Sequence, residues 1–229
     1  MARVIIIAEG QTEEKFVKSL IFPYFHNKKL FDISVSILPS KVTASGKRYK
    51  GGNIKSDKVI NYAKTLLHSA SVTTFIDYYG INPEFIGYQD SLSLPSISEK
   101  KECIENALKE ELTDYRFFPY VQMYEFEGLL FSDVDNFIWI EEDIDKINIL
   151  KQDIKTFPTP EHINNSKITA PSKRIEKIFP SYGKTSDGII VAEAIGIKTI
   201  LSKCNHFKEW IEKIEIELRL RDFLTLLNN

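Results

Sequence analysis

Three acidic groups in the sequence stand where carboxylates can do chemistry. The first is Glu9-Gly10-Gln11-Thr12-Glu13, directly after the apolar run Val4 to Ala8. Glu9 falls where a buried strand would leave its sheet, Gly10 permits a tight turn, and Glu13 lies in the first turn of a following helix. Acids in a first helical turn favour the helix dipole by about 0.3–1 kcal/mol each. That accounts for Glu13 and Glu14 but not for Glu9. The second group is Asp77, in Phe75-Ile76-Asp77-Tyr78-Tyr79-Gly80. Alone it reads as a turn aspartate capping its own loop; beside Glu9 it becomes a candidate second ligand. The third is Tyr124-Glu125-Phe126-Glu127, either a helix start with a favourable dipole or an acidic strand end. Residues two apart do not share a helical face, so one of this pair can point at the sheet while the other does something else. Three or four carboxylates at one point repel each other unless protonated or bridged by a cation. Oxygen ligands of this kind suit Mg²⁺ or Mn²⁺, and two such ions can hold both oxygens of an in-line phosphoryl displacement.

These acids need elements that deliver them to one place. Val4 to Ala8 is continuous and mostly β-branched, the mark of a strand buried on both faces. Phe16, Val17, Leu20, Ile21 and Tyr24 then repeat at helical spacing, with Pro23 expected near the end. Phe31 to Leu38 alternates as a second strand, closed by Pro39, and Ser40 to Asn53 predicts a mobile basic loop. A helix over Val59 to Leu67 precedes the strand Val72 to Ile76. An ordered loop (Ile81 to Pro95), a helix (Glu99 to Leu112), a fourth strand (Phe117 to Met123) and a helix starting over Glu125 to Phe131 follow. Alternating strands and helices predict an α/β domain with a largely parallel sheet, in which ligands bind beyond the carboxyl ends of the strands. Beyond about Asp135 short helices are divided by Pro158, Pro160, Pro171 and Pro180, and a last one runs from about His206 to Leu220. The expected organisation is a core over residues 1–135 and a helical C-terminal part over 136–229 packed on it.

Composition narrows the class. With 229 residues, 43% of them apolar, and a net charge of −2, the chain can bury a sizeable core and is not disordered throughout. Cys103 and Cys204 form no disulfide framework and read as reduced thiols of a cytoplasmic protein. No apolar run is long enough to span a membrane, and Glu9, Glu13 and Glu14 interrupt any signal-peptide core. Charge is unevenly spread: Lys41 to Lys58 holds six basic residues against one acid, and Glu125 to Asp145 holds eight acids and no base. A protein touching both a polyanion and a divalent cation can be built this way, as can an ordinary soluble one.

Glu9-Gly10 after an apolar strand, followed by an aspartate at a later strand end, resembles the Toprim fold of topoisomerases, primases and the nuclease half of OLD-type (overcoming lysogenization defect) proteins. The whole chain is similar to the uncharacterised bacterial family called domain of unknown function 4276 (DUF4276). The stretches that carry this likeness are Glu9 to Glu13, Phe75 to Gly80, Tyr124 to Phe131, Pro171 to Ile175, Tyr182-Gly183-Lys184 and Cys204 to Phe207. The resemblance implies a Toprim-like sheet and metal-dependent cleavage of DNA or RNA. Under it Glu9 and Glu13 are motif-one acids, with Glu9 a metal ligand or general base. Asp77 is the first aspartate of an Asp-x-Asp pair, Glu125 or Glu127 completes the acidic cluster, and Lys184 stabilises the transition state. The chain departs from the pattern at Tyr79, which stands where the second aspartate is expected and puts a two-metal count in doubt. The resemblance also implies a neighbouring ATPase partner and a role in anti-phage defence.

Two basic groups are candidates for phosphate contact. Lys173, Arg174 and Lys184 lie among prolines and glycines, and Lys47-Arg48-Tyr49-Lys50 mixes charge with an aromatic ring able to stack on a base. Each reads equally as a solvated surface. Cys204-x-His206 has no second pair at zinc spacing, and no nucleotide-binding glycine motif or serine-hydrolase elbow is present. The expectation is a Mg²⁺- or Mn²⁺-dependent nuclease held by Glu9, Asp77 and a carboxylate from Glu125 or Glu127. The alternative is a Toprim-like subunit that has lost catalysis and docks on or regulates an ATPase.

Overall fold

The computed structural model of the protein describes residues 3–39, 53–164 and 166–227. Lys47, Arg48 and Lys50, and the loop expected around them, lie outside the described residues.

The apolar run forms β1 (Arg3–Ala8). Its chain continues through α1 (Gln11–Phe16), a π-helical segment Val17–Ile21 and α2 (Phe22–Asn27) into β2 (Ile33–Ile37). Pro23 does not end this helix but sits in the first turn of α2, where a missing N–H costs least. After α3 (Ser56–Leu67) comes β3 (Ala70–Asp77), then α4 (Tyr88–Ser91), α5 (Ile97–Leu112) and β4 (Val121–Gln122). The four strands run parallel in the order β2-β1-β3-β4. Every connection between them carries at least one helix, so all carboxyl ends open on one edge.

Period-2 alternation divides the core. Val4, Ile6 and Phe75 face one apolar layer, and Ile7, Val72 and Ile76 face the other. The second layer is closed by α3 and α5, through Val59, Ala63, Leu67, Ile104 and Leu108. The first is closed by α1 and by the chain beyond β4: short 3₁₀ turns, α6 (Ile144–Ile154), α7 (Pro171–Ile178), α8 (Asp187–Ile195), α9 (Ile197–Lys203) and α10 (Asn205–Leu227). Trp210 of α10 stacks on Tyr120 at 4.5 Å and 10°, and its Nε1 donates to Thr73 Oγ1 at 2.8 Å.

Two expected elements are shorter than their sequence patterns. Phe117 forms a single bridge with Val72, but Pro119 has no N–H for the ladder, and Thr74 Oγ1 instead donates to the Tyr120 carbonyl at 2.7 Å. Regular pairing resumes only at Val121 and Gln122. The helix expected over Glu125 to Phe131 is a run of 3₁₀ turns over Phe126–Ser132, and Phe31 lies outside β2 with 65% of its surface exposed.

Candidate functional site

Parallel strands carry Glu9 and Asp77 to the same edge. The Glu9 amide continues β1–β3 pairing by donating to the Phe75 carbonyl at 3.2 Å, and its Oε2 accepts from the Asp77 amide at 3.3 Å. The Glu9 carboxylate lies against Gly80: a Cβ built there would stand 2.4 Å from Oε2. Asp77 Oδ1 accepts from the Phe126 amide at 2.8 Å, which fastens the end of β3 to the turn that follows β4.

The other acids come from two segments, α1 and the turn that follows β4. Glu13 is buried in the first turn of α1 and accepts from the Gly10 amide at 2.9 Å. Glu125 Oε2 takes the Ser172 amide at 2.9 Å, an unsatisfied donor in the first turn of α7. Glu127 is 1% exposed, and Lys184 Nζ stands 2.9 Å from its Oε1 and 4.0 Å from Glu125 Oε1. Lys184 belongs to the loop between α7 and α8, which is tethered to α1. Thr12 and Thr185 hydroxyls meet at 3.2 Å, and Lys15 Nζ donates to the Thr185 carbonyl at 3.3 Å.

Charge explains the protonation behaviour. Burial raises the Asp77 carboxyl well above its ordinary range, and the carboxylates of Glu13, Glu9, Glu127 and Glu125 raise it further. Burial also raises Glu13, against the pull of the Glu13 and Gly10 amides and of Lys184. Glu127 is pushed up to about 7, by burial first, with Lys184 drawing it down and Glu125 up. Burial opposes the charge on Lys184, yet Glu127, Glu125 and Asp77 hold that ammonium above its usual range.

The structure therefore brings together Glu9, Glu13, Asp77, Glu125, Glu127 and Lys184. It does not bring the α7 cations into contact with them. Lys173 is exposed and pairs with Glu176 at 2.6 Å. Arg174 is turned inward, donating to the Thr169 carbonyl at 2.9 Å, pairing with Asp153 and lying over the Phe157 ring. Three contributors were not singled out from sequence. Gly80 makes room for Glu9, the Ser172 amide holds Glu125, and Asn164 Nδ2 donates to the Tyr79 hydroxyl. For Gly80 the signal was its place three residues after Asp77; the other two lie too far along the chain to have one.

Tyr124, between β4 and Glu125, has φ +58°. A bulky residue in the left-handed region costs about 1–3 kcal/mol and persists where the surroundings demand it. Its carbonyl accepts the Tyr79 amide at 3.1 Å.

In charge and chemistry the group fits a divalent cation: all donors are hard oxygens, and four like charges surround Asp77. As the side chains stand, no three His, Cys, Asp or Glu among the described residues are arranged around one ion position. Glu13, Asp77 and Glu125 accept instead from the Gly10, Phe126 and Ser172 amides.

The family model described as Domain of unknown function (DUF4276) matches residues 8–215. The chain belongs to this family. Two solved structures similar to this DUF4276 chain are of the C-terminal region of the OLD protein from Xanthomonas campestris pv. campestris. The one phased with platinum has a TM-score of 0.51 at 16% identity, over 98% of this chain and 97% of that one. The one phased with iodine has a TM-score of 0.49 at 17% identity, over 97% and 98%. At such identity the likeness is one of fold, and the DUF4276 chain is Toprim-like in architecture as its acidic motifs predict. No curated protein sequence matches the chain.

Proposed function

We propose that this DUF4276 protein is a divalent-metal-dependent nuclease that hydrolyses phosphodiester bonds in DNA or RNA. The observation that carries the reading is the meeting of Glu9 and Asp77 at the carboxyl ends of adjacent parallel strands, where Glu9 Oε2 accepts the Asp77 amide at 3.3 Å, with Glu13, Glu125 and Glu127 close enough to repel the Asp77 carboxylate. Evolution of a fold does not retain such repulsion for stability, since it opposes folding. Glu9 and Asp77 would hold Mg²⁺ or Mn²⁺, with Glu13 and one of Glu125 and Glu127 completing the acidic set. When bound, the ion would supply Lewis acidity and a water of lowered pKa. Glu9 would be placed to act as a general base, and Lys184 would offset charge developing on the phosphate oxygens. The described ends of the basic segment support phosphate contact by Lys47, Arg48 and Lys50: Leu38 donates to the Ala8 carbonyl, and Asn53 to that of Gly80, both at the acidic edge. Exposed Lys173, one residue past the amide that holds Glu125, extends the same reading, whereas Arg174 is committed to Asp153.

The family resemblance read from the sequence motifs is the ground for proposing an ATPase partner and a role in anti-phage defence, and the free thiols of Cys103 and Cys204 are the ground for proposing a cytoplasmic location. The decisive experiment incubates the protein with single- and double-stranded DNA and RNA and Mn²⁺ or Mg²⁺. Glu9→Gln and Asp77→Asn are expected to abolish cleavage with the fold intact; cleavage that survives in both removes the proposal. A second reading, a degenerate subunit that regulates an ATPase, is favoured by Tyr79 at the position of the second aspartate. Calorimetric Mn²⁺ titration separates the two, because only a working site binds the ion through Glu9 and Asp77.

A further inference from the structure

The residue that departs from the acidic pattern is part of a second feature. Tyr79 and Tyr124 are half-buried, with ring centroids 5.5 Å apart at 45°. Both pack on the apolar layer closed by α3 and α5 and keep part of their surface exposed. Tyr78 is buried beside them, 6.1 Å from Tyr79 and 5.9 Å from Tyr88. The two partly exposed tyrosines adjoin the acids in the chain: Tyr79 follows Asp77 by two residues, and Tyr124 directly precedes Glu125. Their backbones are joined by the Tyr79 amide and the Tyr124 carbonyl. Tyr124 holds its place at φ +58°, a conformation its side chain disfavours.

The phenol chemistry is spoken for. Asn164 Nδ2 donates to the Tyr79 hydroxyl. With its hydroxyl tethered in this way, what Tyr79 offers a ligand is its ring. Aromatic rings beside a phosphate-cleaving edge suit one partner above others, an unpaired base. A base inside a duplex already has both faces stacked and cannot lie on a side chain.

We propose that Tyr79 and Tyr124 form a stacking platform that selects single-stranded nucleic acid and seats a base next to the acidic edge. This deepens the nuclease reading and rests on it for bringing nucleic acid to this edge. The test is fluorescence anisotropy in Ca²⁺ with a labelled thymidine strand of about 12 nucleotides, a hairpin duplex of equal length and an abasic strand. Tyr79→Leu and Tyr124→Leu are expected each to weaken single-strand binding about tenfold or more. Tyr79→Phe, which keeps the ring, should stay within about twofold of wild type, and all three variants should bind Mn²⁺ as wild type does. Wild-type protein should favour the thymidine strand over the abasic one, a comparison that needs no variant. The platform is overturned if wild type holds the abasic strand equally well, prefers the duplex or binds no oligonucleotide, or if the leucine variants keep wild-type affinity. Tyrosine-dependent strand binding without Mn²⁺-dependent cleavage would sink the nuclease reading and leave the platform standing.

Discussion

Gly80 decides where the Glu9 carboxylate lies, because any side chain at that position would occupy its space. Gly80→Ala is expected to leave the fold intact by circular dichroism and to weaken Mn²⁺ binding about tenfold or more, read by calorimetry, as displaced supports of metal ligands do. Asp77 gives the opposite kind of prediction. Its charge is opposed by burial and by Glu13, Glu9, Glu127 and Glu125, so Asp77→Asn, which keeps the oxygen that accepts from Phe126, should raise the thermal midpoint of the metal-free protein at neutral pH. A lowered midpoint would mean that the carboxylate is held favourably after all. Such a trade of stability for function is common at working sites. Glu9 stands out in the sequence, because the helix dipole that accounts for Glu13 and Glu14 does not account for a carboxylate directly after a both-faces-buried strand, whereas Asp77 alone reads as a turn residue. The partners of Glu125 and Lys184 were not legible there: Ser172 and Glu127 are brought to them by packing, which leaves no mark in local spacing.

At the level of elements, the parallel sheet was readable from β-branched runs alternating with helical periods, and parallel order alone brings the strand ends together. What escaped was β4, where one proline cuts a seven-residue apolar pattern to two paired residues. That short strand is held in place from α5. The Lys101 and Glu105 side chains, 6% and 9% exposed, pair at 3.0 Å, and Glu105 also accepts the Val121 amide at 2.8 Å. Lys101→Ala strands the Glu105 charge in the interior and is expected to cost about 3–5 kcal/mol, measured by urea denaturation. A loss below about 1 kcal/mol would show the pair to be no more than a surface one. The polar contacts between α5 and β4 follow from helical spacing of Lys101 and Glu105 only once their burial is known.

Across the whole molecule, early and late segments are interlocked. Lys28 at the end of α2 pairs with Glu215 of α10, which also accepts from Arg219. Burial pushes Glu215 up, but the hydrogen bonds from Lys28 and Arg219 outweigh it and hold the carboxyl below its ordinary range. A depressed carboxyl stabilises the fold above its unfolded pKa and loses that contribution as pH falls through the folded value. Glu215→Gln should therefore lower stability at pH 7 by about 1 kcal/mol or less, with the two proteins converging below about pH 4 in chemical denaturation. A gap that persists in acid would assign the loss to packing instead. The seating of Trp210 on Tyr120 and Thr73 carries a consequence for biosynthesis. A ribosome releases the four strands before α10, so the part of the sheet around Tyr120 and Thr73 waits without its Trp210 cover until that helix emerges. Chains halted before that helix should collect in the pellet, a liability that chaperones would have to shelter.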